Sequence, residues 1–178
     1  MVNPGWDRPD APLDELCDAI IERHHTYLHG VIPLLRGWLG TLAAREPQLL
    51  PALAETRAAF GELADQLVGH LAKEETILFP ALVALAQAAR EGASRPPLPF
   101  PTVLHPIRMM ESEHARLEQG LERLRAVAGD FALPADASDA ARRCYVELGR
   151  LDREVRAHLL AENDVLFPRA LELERRLH

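Results

Sequence analysis

The sequence predicts an all-α fold, an antiparallel up-down bundle of four helices, and three observations carry that reading. Ala, Leu, Glu and Arg dominate the 178 residues while aromatics make up only 5%. These are strong helix formers, and the period-two alternation of Val, Ile, Thr and Tyr that marks strands is nearly absent. Helix breakers gather in few places: Pro4 to Pro12, Glu46 to Pro51, Glu91 to Pro101, and Gly129 to Ser138. Between them lie four segments whose apolar residues recur at three- and four-residue spacing, as in a helix with one buried face.

The first helix is expected over residues 13–45, with an inward stripe of Cys17, Ile21, His25, Leu28, Ile32, Leu35, Leu39 and Leu42. The second, over 52–90, carries Phe60, Leu63, Leu67, His70, Glu74 and Leu78. The third, over 102–128, carries Ile107, Met110, His114, Leu117, Leu121 and Leu124. In the fourth, over 139–177, Leu148, Leu151, Val155, His158, Glu162 and Leu166 repeat the register of the second. Residues 13–178 thus form one domain behind a Pro-rich N-terminal extension, 1–12. Pro80 and Pro168 interrupt the second and fourth helices. Each lacks an N–H and crowds the carbonyl four residues back, which predicts a kink just past each glutamate.

A net charge of −7 argues against nucleic acid, whose binding needs clustered Lys and Arg. No run approaches the roughly 20 apolar residues of a membrane span, and residues 1–10 have neither the basic nor the apolar region of a signal peptide. A cytoplasmic protein is expected, with no membrane partner. Cys17 and Cys144 lie far apart in apolar stripes, which suits reduced core thiols.

Each stripe carries one histidine, and two carry a glutamate as well. His70-Leu-Ala-Lys-Glu74-Glu-Thr-Ile-Leu-Phe-Pro80 aligns with His158-Leu-Leu-Ala-Glu162-Asn-Asp-Val-Leu-Phe-Pro168 at a constant offset of 88. His25 precedes His70 by 45 positions and His114 precedes His158 by 44, so the chain reads as two similar helical hairpins. If the first hairpin turns near Gln48, His25 and His70 both sit ~33 Å from the turn, at about 1.5 Å per residue. The second, turning near Pro134, levels His114 with His158. Residues i and i+4 share a helix face, so Glu74 and Glu162 join their histidines in one core slab.

Two buried carboxylates with no Lys or Arg in the stripes would cost many kcal/mol or protonate. A dinuclear metal centre resolves this: two imidazoles per ion, with both carboxylates bridging. Within a helix bundle this donor set suits iron first, and manganese or zinc less well. The remaining candidates are set apart. His29, one turn from His25, could bring a fifth imidazole nearby but is expected in solvent, Glu118 is expected at the surface or just behind the ligands, His24 faces a neighbouring stripe, His105 belongs to an N-terminal turn, His178 ends the chain, and Glu46 is too far from His25 to share its ion.

The motifs around His25, His70…Glu74-Glu-Thr-Ile-Leu-Phe-Pro80, Pro106-Ile-Arg-Met-Met-Glu-Ser-Glu-His114 and His158…Glu162-Asn-Asp-Val-Leu-Phe-Pro168 resemble the hemerythrin-like HHE cation-binding domains. Within these, the likeness is to the di-iron proteins for repair of iron centres, and it spans the chain from about Leu13 onward. It implies two iron ions bridged by oxide or hydroxide, with His25, His70, His114 and His158 as terminal ligands and Glu74 and Glu162 as bridges. It further implies a role in nitrosative and oxidative stress, with NO, O2 or hydrogen peroxide as small ligands and apo iron–sulfur proteins as partners. The activities compatible with it are an NO reductase or a peroxidase- or catalase-like reaction, a reversible carrier or sensor, and an iron store. Many repair proteins carry a small cysteine-containing domain before the bundle. The 12 residues ahead of the first helix hold no cysteine pair, so iron delivery through such thiols is not expected.

Overall fold

A computed structural model describes residues 11–46 and 53–177. Residues 1–10, the turn expected near Gln48 and His178 lie outside the described residues. Helix α1 runs over 13–45, as Leu13–Ile20, a π turn at Ile21–His25 and Thr26–Arg45. Helix α2 runs over 53–91, as Leu53–Lys73, a π turn at Glu74–Leu78 and Phe79–Glu91. Helix α3 is Leu104–Val127, followed by a single 3-10 turn at Gly129–Phe131. Helix α4 runs over 139–176, as Asp139–Ala161, a π turn at Glu162–Leu166 and Phe167–Arg176.

The helix ends follow from local chemistry. Gly92, at φ +64°, takes the left-handed position that closes α2, and the Ser138 side chain accepts from the Ala141 N–H to open α4. Cross-helix pairs show the antiparallel order. Asp14 meets Arg90 and Arg36 meets Asp65 between α1 and α2. Lys73 meets Glu113 and Glu62 meets Arg123 between α2 and α3. His114 meets Asn163 between α3 and α4, and Tyr27 meets Glu147 between α1 and α4. No helix among the described residues is long and apolar enough to cross a membrane.

Every residue placed on the four inward stripes is buried except Ile21, which is half-buried while Ile20 is fully enclosed in its place. The π turn that begins at Ile21 explains the correction: the segment before it turns Leu13, Leu16, Cys17 and Ile20 inward, and one extra residue in the turn resets the register for His25 and Leu28. The kinks expected at Pro80 and Pro168 take the same form. The Phe79 N–H bonds the Glu74 carbonyl and the Phe167 N–H bonds the Glu162 carbonyl, each five residues back, and the prolines open the next α segment. Proline is not the sole cause, because α1 makes its π turn without one nearby, while Pro33 sits inside an uninterrupted stretch of that helix.

The core has two apolar halves. One gathers Leu28 to Leu42, Leu53 to Leu71, Leu117 to Leu124 and Leu148 to Leu159. The other gathers Leu13 to Ile20, Leu78 to Leu85, Ile107, Met110 and Leu166 to Ala170. Cys144 lies in the first and Cys17 in the second, both free and buried.

Glu174 fastens the end of α4 to the start of α3. It accepts from Arg95 Nε (2.8 Å), the Thr102 hydroxyl and the Val103 N–H (3.1 Å). Burial alone would raise its carboxyl, but Thr102, Arg95 and Val103 hold it below the usual range. Glu174→Gln is expected to lower unfolding free energy by about 2 kcal/mol at neutral pH. The folded-state carboxyl titrates below its unfolded value of about 4.3, so its contribution is complete above that pH and disappears as pH falls through the folded value. Urea midpoints of wild type and variant should converge on acidification from pH ~5 to ~3; a constant gap would contradict this account.

Candidate metal centre

Between the two apolar halves lies a single polar layer, one turn deep. It contains His25 from α1, His70 and Glu74 from α2, His114 from α3, and His158 and Glu162 from α4, all 2% exposed or less. The six predicted site residues are therefore at one level. They form two overlapping quartets. His25, Glu74, His158 and Glu162 each offer one ligand atom within 4.8 Å of the others, and His70, Glu74, His114 and Glu162 do the same. Both carboxylates belong to both quartets, and each of the two imidazole pairs belongs to one.

All four histidines turn Nε2 toward the carboxylates. His70 Nε2 lies 3.1 Å from Glu74 Oε1 and His114 Nε2 lies 3.1 Å from Glu162 Oε2. His158 Nε2 is 3.3 Å from Glu162 Oε1, and His25 Nε2 is 3.4 Å from Glu74 Oε2. None of these approaches has hydrogen-bond geometry at the carboxylates: all four oxygens of Glu74 and Glu162, and Nε2 of His70 and His114, are buried without a hydrogen-bond partner. Orphaned atoms of this kind are costly in a protein interior unless something else satisfies them. Imidazole nitrogens and carboxylate oxygens facing a common point are the donor set a pair of divalent cations takes. The residues fit.

Electrostatics point the same way. Burial pushes the Glu74 carboxyl upward, yet the imidazoles of His158, His25 and His70 hold it well below the carboxylate range. Burial likewise opposes the charged forms of His70 and His158, and the two glutamates raise both. The two carboxylates thus favour positive charge beside them, on the imidazoles or on a bound cation.

Three of the four outward nitrogens are pinned. His25 Nδ1 donates to Glu75 Oε1 (2.8 Å), His70 Nδ1 to Glu113 Oε2 (3.2 Å) and His114 Nδ1 to Asn163 Oδ1 (2.8 Å). These acceptors place the ring proton on Nδ1 and leave the Nε2 lone pair facing inward. Glu75, Glu113 and Asn163 were not singled out in the sequence, although the repeat carries the signal: Glu75 and Asn163 are equivalent positions, each immediately after a layer glutamate. The duplicated Leu-Phe-Pro tail also gains a reason. Phe79 stacks on His25 at 5.5 Å and Phe167 on His114 at 5.6 Å between ring centroids, so each phenylalanine fixes the lone histidine of its own hairpin.

The other candidates fall outside the layer. His29 is half exposed and donates to Glu75, Glu118 is at the surface, and His105 is exposed in the first turn of α3. Glu46 accepts from the Ser138 hydroxyl at the far end of the bundle. His24 is buried, stacks on His158 at 5.6 Å and bonds Glu154 at 2.6 Å.

The model of the hemerythrin HHE cation-binding domain matches residues 18–96 and 105–177, two stretches that coincide with the two hairpins. The chain belongs to the hemerythrin HHE family. The chain is similar to the iron-sulfur cluster repair protein YtfE of Musicola paradisiaca, 32% identical over 165 residues, which covers 92% of this chain and 68% of the relative. It is also similar to the repair protein DnrN of Neisseria gonorrhoeae, 27% identical over 162 residues and covering 91% and 94% of the two chains. A third relative is YtfE of Edwardsiella ictaluri, 30% identical over 171 residues, 93% of this chain and 69% of the relative.

In this HHE bundle Phe79→Ala and Phe167→Ala should each lower the unfolding free energy by about 3 to 5 kcal/mol, as buried aromatic truncations do. Urea titration followed by circular dichroism checks this, and a loss below about 1 kcal/mol would remove the packing role assigned to the rings.

Proposed function

We propose that this chain is a non-haem di-iron protein. In this reading His25, His70, His114 and His158 would be terminal ligands, and Glu74 and Glu162 would each serve both ions. The observation that carries it is the pair of quartets sharing both carboxylates in a buried layer where the carboxylate oxygens have no hydrogen-bond partner. Iron is favoured over zinc or manganese because carboxylate-bridged pairs inside helix bundles are typically di-iron, and because the relatives are named for iron–sulfur repair. When bound, such a centre supplies one-electron redox chemistry and coordination positions for NO, O2 or peroxide.

The chain's own residues prepare that chemistry. Glu75, Glu113 and Asn163 hold three ring protons away from the layer. Phe79 and Phe167 fix two rings in orientation, and the apolar halves on either side keep bulk water out. Two imidazoles and two carboxylate oxygens would offer each ion four protein donors, which would leave coordination capacity for exogenous ligands. The function that follows is reaction with these small molecules in nitrosative and oxidative stress, together with repair of iron–sulfur proteins. A reducing cytoplasm, where two unpaired thiols persist, is the compartment that suits it.

Anaerobically purified protein should hold about two irons per chain, and Glu74→Ala or Glu162→Ala should leave less than one, because each carboxylate serves both positions. Reduced protein should consume NO or peroxide over many turnovers, and His70→Ala and His158→Ala should abolish this. Formation of a single adduct that is released unchanged would replace catalysis with carriage. Metal-free protein of undiminished stability, with unchanged stability in the histidine variants, would end the di-iron reading.

A further inference from the structure

The two hairpins are related by a pseudo-twofold that exchanges His25 with His114, His70 with His158, and Glu75 with Asn163. One position breaks it. Glu113, the residue before His114, accepts the Nδ1 proton of His70. Its counterpart, the residue before His25, is His24, which engages Glu154 and lays its ring against His158. His158 Nδ1 is consequently buried with no hydrogen-bond partner, alone among the four layer histidines.

We propose, on the dinuclear reading above, that the two cation positions are unequal, and that the one between His25 and His158 fills last and empties first. The reason lies in the ring proton of His158. To offer Nε2 to a cation, the neutral ring must carry its proton on Nδ1, where no acceptor meets it. The opposite tautomer places the proton on Nε2, where the inward lone pair of His25 Nε2 accepts it at 3.3 Å. The protein therefore favours the form of His158 that cannot bind metal. His70 faces the reverse situation, because the Glu113 carboxylate accepts from Nδ1 and enforces the binding tautomer. Loss of one such partner typically lowers metal affinity by about 10- to 100-fold, so a gap of at least about tenfold between the positions is expected.

The test loads the full chain anaerobically with one equivalent of Fe(II) and locates the ion by anomalous diffraction at the iron edge. Retention against a strong Fe(II) chelator is timed at two equivalents. A dominant peak between His70 and His114, with two release phases of which the faster empties the His25 and His158 position, is the expected result. Equal peaks, or a dominant peak between His25 and His158, overturn the proposal. Failure to retain iron at either position overturns the dinuclear reading itself, a separate outcome. His24→Gln supplies an amide oxygen for His158 Nδ1 and an N–H for Glu154, and should bring the two release rates within about threefold. An unchanged gap in a folded His24→Gln protein would overturn the assignment to His24. Glu113→Ala should weaken the His70 side and close the gap from the other direction; a gap left unchanged would likewise count against the account.

Discussion

Two fully buried carboxylates are the constraint around which this molecule is organised. Glu74 and Glu162 stand where four helices converge, and their neighbours within reach are imidazoles. A buried anion needs a compensating charge or a set of donors. Here Glu75, Glu113 and Asn163 accept the Nδ1 protons of His25, His70 and His114 and turn Nε2 of those three rings inward, the arrangement that receives a cation. The same demand accounts for the π turns. Three of the four contributing helices widen by one residue at the level of the layer, and in α2 and α4 the widening starts at the glutamate itself. Backbone regularity yields where side-chain convergence requires it.

Much of this was legible in the sequence because the signals are periodic. The helix stripes, the offset of 88 between the two His-x-x-x-Glu motifs and the matching distances to the turns are enough to place six side chains at one height. Those features survive small errors in element boundaries. Ile21 was misplaced for a physical reason: a π turn is a local change of pitch that leaves no residue-type signature, so a stripe counted through it drifts by one. The proline interruptions were visible, but not the form they took, since a kink and a widened turn both answer a missing N–H.

The ring of acceptors was harder to read. Glu75, Glu113 and Asn163 are ordinary polar residues on faces that a stripe analysis assigns to solvent, and only cross-helix contact gives them a purpose. His24 is the instructive case. Next to a layer histidine and buried like one, it occupies the place that Glu113 holds in the other hairpin, so a near-duplication of sequence conceals a difference of chemistry. Duplicated hairpins share geometry more readily than they share proton inventories.

The division of the core into two apolar halves also governs how the chain finds its arrangement. Leucine-rich faces are interchangeable, and a helix moved along its neighbour by one turn, about 5.4 Å, would still find hydrocarbon opposite hydrocarbon. Such a shift would strand a glutamate or a histidine among leucines. The polar layer therefore acts as an alignment key, penalising slipped assemblies through desolvation in the way a buried asparagine sets register in coiled coils. With alignment entrusted to six side chains, the leucines on either side are free to change identity over evolutionary time so long as they stay greasy.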